Sequence, residues 1–266
     1  MGQMLTRGVL AHQELQLGAA IEREGHRQLG EDIGVVAGLE ACGVLLTADL
    51  AAACEHFDVL IDFTIADATA SNVAVCRANG KRMVIGTTGL SDTQKESIDA
   101  AVADVAIVFA PNYSIGVNVT FKLAEIAATI LGDSVDIEIT EAHHRHKVDA
   151  PSGTALGLGE AIARALGRDL ADVAVYGRSG VTGERDHSTI GFHSIRAGEI
   201  VGDHTVLFAA EGERLELTHR AQTRLNFSQG ALRAALWVAD RSSGRFDMQD
   251  VLGLAAISAT GSTTGH

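Results

Sequence analysis

The sequence predicts an α/β fold: a parallel, doubly wound sheet, followed by a region of more exposed strands. Three observations predict it. Short continuous apolar runs such as Val59–Thr64 (VLIDFT) alternate with helix-like stretches in the first half of the chain, the mark of strands buried on both faces. Repeated strand–helix units of this size call for parallel crossovers. After Gly132 the pattern changes to strict alternation, as in Val135–Ala142 (VDIEITEA), the period of a half-exposed strand.

Taken in order, residues 3–12 (QMLTRGVLAH) form a helix with Met4, Leu5, Val9 and Leu10 on one side. Leu15–Glu22 (LQLGAAIE) is a short strand ending in an acid. Val59–Thr64 is the next strand, and Asp67–Asn79 a helix closed by Gly80. Arg82–Gly86 (RMVIG) is a strand; Ser91 with Gln94 makes a capping box that opens a helix to about Ala103. Val105–Ala110 and Gly116–Leu131 repeat the strand–helix pair. Beyond the alternating strand come a His-rich loop and a helix over Thr154–Leu166. Three strands expected to be antiparallel follow: Thr189–Arg196, Thr205–Ala210 and Arg214–Thr218. Ser228–Asp240 is a helix with Trp237 on its apolar side, and the small, polar tail 255–266 is expected to be disordered.

Composition narrows the function classes. The 266 residues carry 21 Lys+Arg against 34 Asp+Glu, a net charge of −13. That field disfavours nucleic acid and anionic membrane surfaces as partners. Apolar residues at 46% and charged residues at 21% give a globular balance. No apolar run is expected to reach the ~18–20 residues of a membrane span, and no signal peptide is expected. Cys42, Cys54 and Cys76 are odd in number and form no C-x-x-C pair, so neither a disulfide framework nor a thiolate zinc site is expected, and a cytoplasmic setting is the default.

Four segments can carry chemistry. Glu22 and Arg23 stand at a strand end, where an acid suits a ribose diol and a guanidinium a 2′-phosphate; a plain surface charge is the competing reading. Gly86-Thr87-Thr88-Gly89 follows a strand, with small residues for close approach and hydroxyls for a carboxamide or phosphate. Ala110-Pro111-Asn112-Tyr113-Ser114 follows another. Ligands of open α/β sheets sit beyond such carboxyl ends, although either segment also reads as a simple turn. The fourth is Glu141-Ala-His143-His144-Arg145-His146-Lys147-Val-Asp149-Ala-Pro151-Ser152-Gly153-Thr154. Five basic or His groups occupy five consecutive positions of an acidic protein. They offer charge for carboxylates and proton-transfer groups, and Gly153 and Thr154 open a helix whose N–H groups favour an anion. A metal site is disfavoured, since no H-E-x-x-H or Cys/His spacing occurs and Arg145 and Lys147 would repel a cation.

This last run resembles the signature of the 4-hydroxy-tetrahydrodipicolinate (dihydrodipicolinate) reductase family of the lysine and diaminopimelate pathway. The resemblance extends over roughly residues 1–254, through VLIDFT, MVIGTTG (Met83–Gly89), APNYSIGVNV (Ala110–Val119), GER (Gly183–Arg185), RAGEIVGDH (Arg196–His204) and FDMQDVL (Phe246–Leu252). It implies a Rossmann-type domain over 1–114, completed by about 225–254. It also implies an α+β domain over 115–224, whose open mixed sheet binds substrate and builds a homotetramer. It implies reduction of a cyclic imine dicarboxylate with NADH or NADPH. His143 and Lys147 would be the catalytic proton-transfer residues, and His144, Gly153 and Thr154 would hold the substrate carboxylates. Met1, Glu22, Arg23, Gly86, Thr87, Thr88, Ala110, Pro111, Asn112 and Tyr113 would line the cofactor.

The resemblance also implies a G-x-x-G-R-M-G turn after an N-terminal strand, of which Met1-Gly2 matches only the last two residues. The dinucleotide-binding sheet is therefore expected without its first strand and most of its phosphate loop, roughly 15 residues. Two strand edges would then lie unpaired. A non-catalytic oligomer of the same family, deficient in cofactor binding, is the alternative expectation.

Overall fold

A computed structural model describes residues 1–257. The chain opens with α1 (Gly2–Leu10), whose Leu5 and Val9 are buried. Strand β1 (Ala20–Ile21) is much shorter than the predicted Leu15–Glu22. Before it, Gly18 packs closely on the His56 carbonyl, where a Cβ would stand 1.8 Å from its oxygen. After α2 (Ile33–Val36), β2 (Leu46–Thr47) pairs with β1 in parallel. Then come α3 (Leu50–Ala53), β3 (Val59–Asp62), α4 (Ala66–Ala78), β4 (Arg82–Ile85), α5 (Asp92–Ala101) and β5 (Ala106–Phe109). Gly80, at φ +63°, takes the left-handed position that closes α4. The Ser91–Gln94 capping box is formed at the start of α5, where such a cap contributes ~1 kcal/mol.

The second region starts with α6 (Ile115–Leu131) and β6 (Asp136–His143). It continues through α7 (Gly153–Ala165), α8 (Leu170–Val173), β7 (Ala174–Tyr176), β8 (Ile190–Arg196), β9 (Gly202–Ala209) and β10 (Arg214–Ala221). These strands form one mixed sheet in the order β10-β9-β6-β8-β7. Here one expectation is corrected. The strand predicted at Thr189–Arg196 is not antiparallel: β8 runs parallel to β6 and to β7, with the crossover through α7 and α8 following β6 and the long connection 177–189 following β7. Only β9 and β10 complete antiparallel pairs. The inner face of the sheet, with Ile137, Ile139, Ile190, Phe192, Val206 and Phe208, forms a core with Ala124 and Ala128 of α6 and Leu158 and Ile162 of α7. Contrary to expectation, the helix and turn over Ile115–Ser134 reach the length and apolarity of a membrane span. Within this region, however, Ala124 and Ala128 are fully buried in that core.

The chain then returns to the first region with α9 (Leu225–Ala239), β11 (Gly244–Phe246) and α10 (Met248–Val251). Strand β11 extends the parallel sheet to the order β11-β5-β4-β3. Helices α1 and α9 pack so closely that a Cβ on Gly8 would stand 2.7 Å from Leu232 Cδ1. Among the described residues β3 ends that sheet, and β1 and β2 pair only with each other. Two compact units result: Met1–Ser114 with Leu225–Leu252, and a second built on Ile115–Arg224. Of the tail expected to be disordered, Ala255 and Ala256 belong to a short 3-10 turn, Leu254–Ala256; residues 258–266 lie outside the described residues.

Candidate active site

Alternation along β6 turns Ile137, Ile139, Glu141 and His143 to the same, buried side of the sheet. Two polar groups on an inner face need partners there. Glu141, 1% exposed, finds them on the neighbouring strand and the following loop. The Arg196 fork donates to both carboxylate oxygens at 2.8 Å, and the Ser152 N–H donates at 3.2 Å. His143 Nδ1 lies 2.6 Å from Glu141 Oε2. Burial alone would raise the Glu141 carboxyl, but the hydrogen bonds from Arg196, Ser194 and His143 outweigh it and hold it at about 2. Burial lowers His143, reinforced by Lys147 and Arg196 and opposed by Glu141.

The same bonds fold the His-rich loop. Arg196 Nη2 also donates to the Asp149 carbonyl at 2.5 Å, and Lys147 Nζ donates to the Asp149 carboxylate at 2.9 Å. Ser152 caps α7 by accepting from Ala155 N at 3.1 Å, and its hydroxyl meets His204 Nε2 of β9 at 2.9 Å. Burial pushes His204 down to about 3, so it stays neutral. His144 Nδ1 is buried with no hydrogen-bond partner among the described residues. Gly153 has no atom within 4 Å of where a side chain would begin, which leaves the first turn of α7 open. His143, His144, Lys147, Gly153 and Thr154 thus stand on one bonded segment.

In the first unit, the loops after the adjacent parallel strands β4 and β5 are tied together. Tyr113 donates its hydroxyl toward both the Ile85 carbonyl at 2.9 Å and the Val108 carbonyl at 3.0 Å. This differs from a lining role for its side chain: the residue is 1% exposed, and its carbonyl packs against Gly230 of α9. Thr87 is likewise committed inward. Its hydroxyl accepts from Thr69 Oγ1 at 2.8 Å and Thr64 N at 3.0 Å and donates to Asp62 Oδ1 at 3.3 Å. Thr88 and Pro111 are exposed, Asn112 is half-buried, and Ala110 is buried. Glu22 follows β1, with its carboxylate accepting from Arg23 N at 2.9 Å, while the Arg23 side chain is exposed. Met1 caps α1 and is exposed.

The family models for the N-terminus and the C-terminus of dihydrodipicolinate reductase match residues 1–113 and 116–252. The chain belongs to the dihydrodipicolinate reductase family. A 4-hydroxy-tetrahydrodipicolinate reductase of Alkalilimnicola ehrlichii is 59% identical over 254 residues, covering 96% of this chain and 95% of that protein. A dipicolinate-bound dihydrodipicolinate reductase from Paenisporosarcina sp. TG-14 superposes with a TM-score of 0.73 at 25% identity, covering 94% of each chain. An amine dehydrogenase of Mycobacterium smegmatis shares the fold alone, with a TM-score of 0.57 at 12% identity over 92% of this chain and 91% of that one. Membership makes the chain a pyridine-nucleotide-dependent oxidoreductase.

Sequence reasoning on this reductase missed three residues. Arg196, His204 and Asp62 lie in the quoted runs RAGEIVGDH and VLIDFT, yet none was assigned a role there. Arg196 is 55 positions from Glu141. Asp62 sits in an apolar run, VLIDFT, where the one charged residue was the available signal.

Proposed function

We propose that this chain reduces 4-hydroxy-tetrahydrodipicolinate to tetrahydrodipicolinate in the diaminopimelate and lysine pathway, with the loop from Glu141 to Thr154 as its substrate site. The observation that carries this reading is the convergence of His143, the unpaired His144 Nδ1, Lys147 and the open α7 N-terminus on one hydrogen-bonded segment of an otherwise acidic protein. The name of the dipicolinate-bound relative supports a small cyclic dicarboxylate as the ligand class.

The donor set of the first unit fits a nicotinamide dinucleotide. Glu22 offers a carboxylate to a ribose diol and Arg23 a guanidinium to a 2′-phosphate, and exposed Thr88 and Pro111 with half-buried Asn112 form a rim at two tied strand ends. Both NADH and NADPH are compatible with that pair. When bound, the dihydronicotinamide supplies a hydride. His144 and the Gly153–Thr154 turn hold the substrate carboxylates. Lys147 and His143 neutralise charge and move the proton that completes the reduction. Asp149, paired to Lys147, holds the ammonium beside the loop until an anion competes for it. The protein is read as cytoplasmic, and the outer face of the mixed sheet, which carries Thr205, Leu207 and Thr218, as the surface that builds a homotetramer.

The test is a spectrophotometric assay of nucleotide oxidation with each cofactor, run beside sedimentation velocity. Substrate-dependent oxidation inhibited by dipicolinate is expected; a failure of dipicolinate to compete would overturn the substrate assignment.

A further inference from the structure

His143 has two ring nitrogens with different surroundings: Nδ1 meets the Glu141 carboxylate at 2.6 Å, and Nε2 lies beside Gly202 of β9. We propose that Glu141, clamped by Arg196, is a positioning residue that fixes the proton of His143 on Nδ1 and so presents Nε2 as the nitrogen that meets the substrate; this rests on the reading of His143 given above.

Arg196 Nη1, Arg196 Nη2 and the Ser152 N–H already donate to the Glu141 carboxylate. A carboxylate so held only accepts hydrogen bonds. The 2.6 Å contact to His143 Nδ1 therefore requires hydrogen on Nδ1. An ionised Glu141, held at about 2, keeps that requirement at every working pH. The other nitrogen has room beside β9 only because residue 202 is a glycine: a Cβ there would stand 3.0 Å from Nε2. Any larger residue there would crowd the approach to that atom.

The groups facing His143 are Glu141 on its own strand, Arg196 on β8, His204 on β9 and Lys147 in the loop. The His204 ring stands edge-on at 5.1 Å and is neutral, so it does not compete for Glu141. Arg196 acts twice, on the carboxylate and on the Asp149 carbonyl, so the tautomer and the loop that carries Lys147 are set by one guanidinium.

Long-range proton–nitrogen correlation NMR on the ¹⁵N-labelled native protein, with His143→Ala for assignment, reads the tautomer directly. Protonated Nδ1 and bare Nε2 are expected; a protonated Nε2 in the neutral ring would overturn the proposal. Glu141→Gln places an amide donor opposite Nδ1. The tautomer should invert, and kcat should fall by ~10²–10⁴-fold with little change in substrate KM. A Glu141→Gln protein with native kcat, with or without inversion, would equally reject the positioning role. The spectrum is recorded without substrate, so it stands or falls separately from the turnover assay, and it decides the tautomer even if the variant fails to fold.

Discussion

Arg196 on β8 grips Glu141 on β6 through two 2.8 Å hydrogen bonds, although the strand register sets Arg196 opposite His143 and Glu141 opposite Ser194. The guanidinium reaches back along the sheet to a carboxylate that is 1% exposed, while it is itself 20% exposed. Removing the cation would leave that buried carboxylate without its charge partner, held only by Ser152, Ser194 and His143. Arg196→Ala should therefore destabilise the fold by ~3 kcal/mol, measured as a drop in urea midpoint, and should loosen the loop at Asp149. An unchanged midpoint would mean that the pair carries no stability.

Stability should fall in two stages as the pH is lowered. His143, His204 and His219 are held below the ordinary value of 6.5 by burial, with His204 at about 3. The unfolded chain therefore binds protons that the folded chain does not, and stability is lost as the pH drops below 6.5. Glu138 and Glu141 sit at about 2 against an ordinary 4.5, because hydrogen bonds from Arg178, Arg185 and His193 and from Arg196, Ser194 and His143 overcome their burial. Their contribution is complete above pH 4.5 and is lost between 4.5 and about 2. Thermal melts across pH 7 to 3 check this, and His204→Gln should flatten the upper stage. A native stability flat between pH 6.5 and 4.5 would contradict it.

Lys147→Ala should lower kcat by ~10²–10⁴-fold, the usual share of a proton-transfer or charge-stabilising group. His144→Ala should act on substrate KM instead, since it removes a ground-state carboxylate contact. Steady-state kinetics of the two variants separate the roles; equal effects on both constants would not.

Arg23→Ala should raise the KM for NADPH more than that for NADH, because only NADPH carries the 2′-phosphate that the exposed guanidinium could grip. Thr87→Val should raise both. Its hydroxyl ties Asp62, Thr64 and Thr69 under the loop after β4, and losing a buried hydrogen-bonding group costs ~1–3 kcal/mol. Paired cofactor titrations of the two variants test this contrast.

The proposed substrate loop was visible in the sequence because its polar groups are contiguous: His143 through Lys147 precede a Ser-Gly-Thr helix start, and α7 begins there. The strand predicted at Val135–Ala142 is present as β6, whose alternation turns Glu141 and His143 to one face. Long-range partners were not legible. Nothing local marks Arg196 or His204 as neighbours of Glu141, because register across a sheet is a tertiary property. Turn chemistry also misled where polar atoms turn inward: Thr87 and Tyr113 read as ligand-facing residues, yet their hydroxyls fasten backbone and carboxylate inside the fold. The short β1 was overextended because a run such as LQLGAAIE has strand composition, whereas ladder pairing, a tertiary property, reaches only Ala20 and Ile21 among the described residues.

The measurement closest to the central claim is the turnover of the purified 266-residue chain with freshly generated 4-hydroxy-tetrahydrodipicolinate and each nicotinamide nucleotide, repeated with His143→Ala and Lys147→Ala. The account predicts substrate-dependent nucleotide oxidation that both substitutions suppress by ~10²-fold or more. Absence of oxidation with either nucleotide, or turnover that survives both substitutions, would contradict it.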